Sequence, residues 1–237
     1  MEQVYELNIY SLEGNKMKTI GLLGGCAWPS TIEYYRLINQ LVGQGRSAKI
    51  LLKNIDYARI KASLPQEIPG LLQGELEDFE RVGPDSIIIC NNTLHKYLGD
   101  FTLQIPLFHA VDLTVNYALD QNYKKVLLLA TKFTMEDGFF NDALLEKGID
   151  SIIPSLQESD EIQVIQTELS QGNAKMEYGD YFKNLILKHK NLDAVILACT
   201  ELPLVITPAN SILPIIDPMV LQSTAAVAHA LGEAHDY

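Results

Sequence analysis

The sequence predicts an α/β fold of two pseudo-symmetric lobes, each a mostly parallel sheet flanked by helices, with the active-site cleft between the lobes. Three observations predict it. Short apolar runs alternate with amphipathic stretches along the whole chain, the pattern of parallel strands covered on both faces. The second half repeats the first, because a constant offset of 108 residues lays Asn91–Pro106 on Cys199–Pro214 without a gap. A looser repeat sets KTIGLLGGCAWPSTIEYYRLI beside KVLLLATKFTMEDGFFNDALL.

The elements follow in order. TIGLLGG (19–25) is a buried strand ending in glycines, and STIEYYRLINQL (30–41) is the helix after it, capped by Ser30 or Thr31. KILLKNID (49–56) reads as a strand, GLLQGELEDFERVG (70–83) as an amphipathic helix with a solvated acidic face, and DSIIIC (85–90) as a second buried strand. IPLFHA (105–110) reads as a strand and VDLTVNYALDQN (111–122) as a helix. The second half gives strand 124–131, helix 135–148, short strand 149–154, a helix over about 160–171, helix 181–190, strands 194–199 and 212–217, and a closing helix 221–234. The first lobe is expected to span 17–112 plus 213–237 and the second 113–212. Residues 1–16 read as an N-terminal extension in which VYELNIY alternates like a short strand.

Composition narrows the function. With 237 residues, 47% of them hydrophobic, the chain can bury a large core, and no apolar stretch approaches the length of a membrane span. A net charge of -12 and a pI near 4.8 argue against nucleic acid and anionic membrane as partners, since both attract basic patches. Cys26, Cys90 and Cys199 are widely spaced, with no CxxC, which argues against a disulfide framework or a zinc ribbon and for a reducing, cytoplasmic setting. The beginning of the chain lacks the long apolar segment of a secretion signal.

Ligands of such folds bind beyond the carboxyl ends of the strands. There the sequence places GGCAWPST, NNTLH, ATKFT and CTEL, with Asn92, Thr93, Thr131, Lys132, Thr134 and Thr200 as donors suited to a carboxylate or an amide. Ordinary capping of strand-to-helix turns would use the same residue types. Cys199 reads either as a buried small hydrophobe or as a reactive thiol whose pKa nearby N–H groups lower. Cys26 has weaker support for a chemical role, and strand alternation points Cys90 into the core. His95 either orients a ligand or is structural. Glu168 is either a cleft residue reaching an ammonium group or a solvated helix carboxylate, and Trp28 is expected to pack.

These residues resemble the cofactor-independent aspartate/glutamate racemase family. GLLGGCAWPSTIEYYRLIN is similar to that family's opening GLLGGMSWEST, IICNNTLH to its first (C/T)NT(A/M)H motif, ATKFTM to its GT(K/R)(Y/F)TM segment, and ACTELPL to its second CTE motif. The resemblance runs from about Met17 to the last helix. It implies two lobes whose facing cysteines flank the α-carbon of a small acidic amino acid, one removing the α-proton and the other protonating the opposite face. Neither pyridoxal phosphate nor a metal is implied, and a homodimer is.

Carried over by motif, Cys199 matches the second catalytic cysteine, and Asn92 and Thr93 match the substrate-binding pair of the first motif. Thr131, Lys132 and Thr134 match the central motif, and Thr200 and Glu201 follow the second cysteine. The first catalytic position is Asn91, which is also where the internal repeat puts the partner of Cys199. An amide there predicts weak or one-sided racemisation, with water or a displaced Cys90 as substitutes for the missing thiol. Two alternatives remain open: a catalytically silent amino-acid or carboxylate-binding protein, and a single-cysteine enzyme like the related arylmalonate decarboxylases.

Overall fold

The computed structural model describes residues 16–43, 45–99 and 101–233; the expected short strand VYELNIY lies outside the described residues. β1 (Ile20–Gly24), β2 (Ile50–Asn54) and β3 (Ser86–Ile89) form a parallel sheet in the order β2-β1-β3. β4 (Lys125–Ala130), β5 (Asp150–Ile152), β6 (Ala194–Ala198) and β7 (Ile215–Ile216) form a second parallel sheet in the order β5-β4-β6-β7. The registers repeat as the sequence does. Ile87 bridges Leu107 and Val195 pairs with Ile215, each residue of the second pair lying 108 positions after its counterpart. The Ile87 N–H donates to Pro106 O and the Val195 N–H to Pro214 O, both at 2.9 Å.

Four expectations change. The predicted strand 105–110 is reduced to the single Leu107 bridge. Pro106 has no N–H to donate, and the chain turns into α4 (Ala110–Asp120) with His109 at its N-cap. The predicted helix 135–148 is two helices, α5 (Lys132–Asp137) and α6 (Phe139–Glu146), parted at Gly138 with φ 91°. The strand expected in the first lobe, within 213–237, is β7 of the second sheet, because its partner is β6. Only α9 (Pro218–Leu231) returns, packing on β3, α4 and α1 (Trp28–Val42). Ser30 and Thr31 do not cap α1: Ala27 is the N-cap residue, and Pro29 sits in the first turn, where a missing N–H costs nothing.

Alternation along the strands sorts the core. Ile20 and Leu22 of β1, Ile88 of β3 and Cys90 just beyond it face Tyr34 and Ile38 of α1 and Ala226, Val227 and Ala230 of α9. Leu23, Ile87 and Ile89 point the other way, onto Leu72, Leu76 and Phe79 of α3 (Ile68–Val82). The second sheet buries Leu127, Leu128 and Leu129 against α6, α7 (Leu156–Ser170) and α8 (Met176–Lys188). Each such side chain contributes about 1.5–3 kcal/mol by leaving water. Among the described residues no helix is long and apolar enough to cross a membrane.

Candidate active site

The carboxyl ends of both sheets open onto one cleft of about 350 Å³. Glycines shape its first wall. Gly25 has φ 100°, and a Cβ there would lie 2.6 Å from Ile55 O, so only glycine lets the turn after β1 fold back and carry Cys26 and Ala27 to the cleft. The turn after β3 supplies Asn91, Asn92 and Thr93, the turn after β4 supplies Thr131, and the turn after β6 supplies Cys199, Thr200 and Glu201.

Cys199 and Glu201 form a pair. The thiol donates to Glu201 Oε2 at 2.8 Å, while Oε1 accepts from Thr200 Oγ1 at 3.2 Å and from Ser30 Oγ at 3.0 Å. Ser30 stands on α1, so this buried carboxylate ties the two sheets together beside the thiol. Burial, followed by the Glu201 charge, pushes the Cys199 thiol well above its ordinary pKa; the backbone N–H groups of Glu201 and Leu202 pull the other way and lose. The expectation that N–H groups would lower this thiol is therefore reversed. They are present, but desolvation and the neighbouring carboxylate outweigh them.

A chain of hydroxyls crosses the cleft floor. Thr131 Oγ1 donates to Thr134 Oγ1 at 3.0 Å, and Thr134 shares a 3.0 Å hydrogen bond with Thr93 of the other sheet. Thr134 is itself fully buried and positions the two threonines that line the cleft. Asn91 turns its Oδ1 to the Leu94 N–H at 2.8 Å. Asn92 is 3% exposed, yet neither its Oδ1 nor its Nδ2 has a hydrogen-bond partner. An unpaired buried polar group costs about 1–3 kcal/mol, so this carboxamide is held beside the cleft at a cost in stability.

Lys132, Glu168 and His95 are not brought to the cleft, and Cys90 lies in the core as strand alternation predicted. Lys132 turns its ammonium to Asp160 at 2.5 Å and Glu136 at 3.7 Å. It stands two positions before Thr134 on the short α5, and the helical turn sends its side chain to the outer side. Glu168 pairs with Lys175 at 2.6 Å and with the Tyr178 hydroxyl, on a helix face away from the cleft. His95 is buried among its neighbours, 3.3 Å from Gln222 Nε2, and burial holds it neutral. Cys90 is 1% exposed and belongs to the core beneath α1 and α9. Trp28 lies over Gly172, where an added Cβ would meet the ring at 2.9 Å, but it stays 56% exposed, so the expected packing is only partial.

Other residues in the cleft were not anticipated. Tyr57 and Lys61 come from α2 (Tyr57–Ala62), a short helix absent from the sequence reading, with the Lys61 ammonium 5.1 Å from the Tyr57 ring centre. Gln163, Gln166, Thr167 and Ser170 form one face of α7. Their spacing of three, one and three is a helical stripe, and the Ser155–Glu158 capping box marks the true start of α7 four residues before the predicted one.

Comparison with known proteins agrees with this architecture. The family model described as Asp/Glu/Hydantoin racemase matches residues 23–230. The chain is 31% identical over 138 residues to the glutamate racemase of Campylobacter jejuni, covering 54% of this chain and 52% of that protein. It thus spans about half the length of that relative. It is also similar to the crystal structure of a candidate Asp/Glu racemase from Yersinia pestis, with 33% identity, a TM-score of 0.77 and coverage of 91% of this chain and 100% of that one. An aspartate racemase homologue from Pyrococcus horikoshii OT3 matches with 27% identity, a TM-score of 0.79 and coverage of 90% and 99%.

Proposed function

The chain belongs to the Asp/Glu/hydantoin racemase family, and we propose that it is an amino-acid racemase for aspartate or glutamate that moves the α-proton without pyridoxal phosphate. Cys199 is the acid/base on one face of the α-carbon. The observation that carries this reading is the Cys199–Glu201 pair, a thiol 2.8 Å from a carboxylate in the wall of a cleft that also holds the unpartnered Asn92. A base for a weakly acidic α-proton has to be generated inside a water-poor site. Passing the thiol proton to Glu201 creates a thiolate while the pair keeps a single negative charge.

Removal of the α-proton leaves charge on the substrate carboxylate, which fixed donors stabilise best when they are already in place. Asn92 Nδ2 and the Thr93 hydroxyl fit that role, the latter set by Thr134, to which the Thr131 hydroxyl gives its own proton. Lys61, the cationic side chain among the described lining residues, suits the second carboxylate of an acidic substrate. A cytoplasmic setting and a homodimer belong to the same reading.

Asn91 supports a second reading, a binding protein that does not turn over. A carboxamide nitrogen gives up no proton at neutral pH, so the repeat-equivalent of Cys199 is chemically inert. Incubating the purified chain with each enantiomer of aspartate and glutamate, followed by chiral chromatography, separates the two. Appearance of the opposite enantiomer is expected; binding without inversion would leave the second reading standing.

A further inference from the structure

Racemisation needs an acid on the face opposite Cys199, and Asn91 does not supply one. Cys90 is excluded by direction, since it sits on the α1–α9 side of the first sheet and is 1% exposed. One other thiol reaches the cleft. Cys26 lies in the Gly24–Gly25 turn at the end of β1, in the first sheet, whereas Cys199 lies at the end of β6, in the second. Both line the same cleft of about 350 Å³, a volume that holds one small ligand. Asn92, buried and unpartnered at both polar atoms, stands in the same wall.

We propose that Cys26 is the second catalytic thiol, replacing the group missing at position 91, so that the two proton-transfer residues come from the ends of β1 and β6. This rests on the racemase reading above. In one direction the Cys199 thiolate takes the α-proton, forming S–H and leaving the C–H electron pair delocalised into the substrate carboxylate. Cys26 S–H then gives its proton to the opposite face, a new C–H bond forms, and Cys26 is left as thiolate. Turnover in the reverse direction, or proton exchange with solvent, restores the starting states. Burial and the Glu201 charge push the Cys26 thiol up, against a smaller lowering by Lys61, which keeps it protonated and ready to donate. The glycines before it serve this placement: a Cβ at Gly24 would lie 2.6 Å from Thr31 Cγ2, and one at Gly25 would strike Ile55.

The test follows inversion and α-proton exchange separately, in D2O, for L- and D-aspartate and L- and D-glutamate, with the unaltered chain, Cys26→Ser and Cys26→Ala. Thermal unfolding checks that both variants fold. Inversion is expected to fall by about 10²–10⁴-fold, the usual worth of a positioned acid. The enantiomer served by Cys199 still exchanges its α-proton with retention, and the other enantiomer stops exchanging. Undiminished inversion in either folded variant overturns the proposal and assigns the acid to another group, such as Tyr57 or water. Equal loss of exchange from both enantiomers also overturns it, since a one-face acid has a one-sided effect. Absence of exchange in the unaltered chain would instead remove the racemase reading, and the role of Cys26 with it.

Discussion

Cys199 Sγ and Glu201 Oε2 lie 2.8 Å apart in a buried turn whose carboxylate is also held from the first sheet by Ser30. The pair makes the thiol a poor resting nucleophile and gives its proton an immediate destination. Glu201→Gln removes a negative charge that raises the thiol pKa, second only to burial. The pH at which iodoacetamide alkylates the Cys199 peptide should therefore move down, while racemisation falls by about 10²–10⁴-fold for want of a proton acceptor. Mass spectrometry of alkylation against pH checks the first point, and an unchanged or rising midpoint would contradict it.

The repeat places Asn91 opposite Cys199, as Leu107 stands to Ile215. Asn91→Cys introduced into the Cys26→Ser chain should restore inversion by at least about 10-fold, because it returns a proton donor to the face that lost one. Polarimetry on a folded double variant is sufficient. No recovery would mean that the two repeat positions do not face the same α-carbon.

The binding role proposed for Asn92 predicts a trade of stability for binding, because its buried carboxamide has no partner at either polar atom. Asn92→Ala should leave the unfolding free energy unchanged or raise it, by up to about 1–3 kcal/mol per polar atom relieved, and weaken aspartate or glutamate binding at least about 10-fold. Calorimetry measures both. A clear loss of stability would show that the carboxamide has a structural partner.

Asp217, the N-cap of α9, is raised by burial to about 7, against the lowering N–H groups of Met219 and Val220. An unfolded aspartate titrates near ~3.9, so from there up to the folded value the native state holds a proton that the unfolded chain has released. This contribution is full below the lower pKa and is lost as pH rises through the upper one. Asp217→Asn keeps an acceptor for the Met219 N–H, now made at 2.9 Å, and should flatten the decline in melting temperature between about pH 4 and pH 7. An identical pH profile in both proteins would contradict the assignment.

Much of this was legible in the sequence for identifiable reasons. Parallel strands buried on both faces read as apolar runs, and the offset of 108 residues predicted the equivalence of Leu107 with Ile215 before either was placed. Asn91, Asn92, Thr93, Thr131, Cys199, Thr200 and Glu201 line the cleft because strand ends in this topology are forced there. What escaped depended on side-chain direction. Lys132 and Thr134 are two residues apart on one short helix, yet one bonds Asp160 outside and the other Thr93 within. Glu168 is the solvated helix carboxylate of the two alternatives, paired with Lys175, and the cleft face of α7 carries the neutral Thr167 and Ser170 instead. The sequence already set the turn of Cys26 at the same strand ends as Cys199 but gave the thiol little support for a chemical role, and the fold brings it into the cleft wall.

The most direct test of the central claim is proton NMR of the α-position of aspartate and glutamate in D2O, comparing the unaltered chain with Cys199→Ser. Decay of an α-proton signal with the unaltered chain, and its persistence for the Cys199-facing enantiomer with the folded variant, is the predicted result. Continued exchange of both enantiomers by Cys199→Ser at the original rate would contradict it.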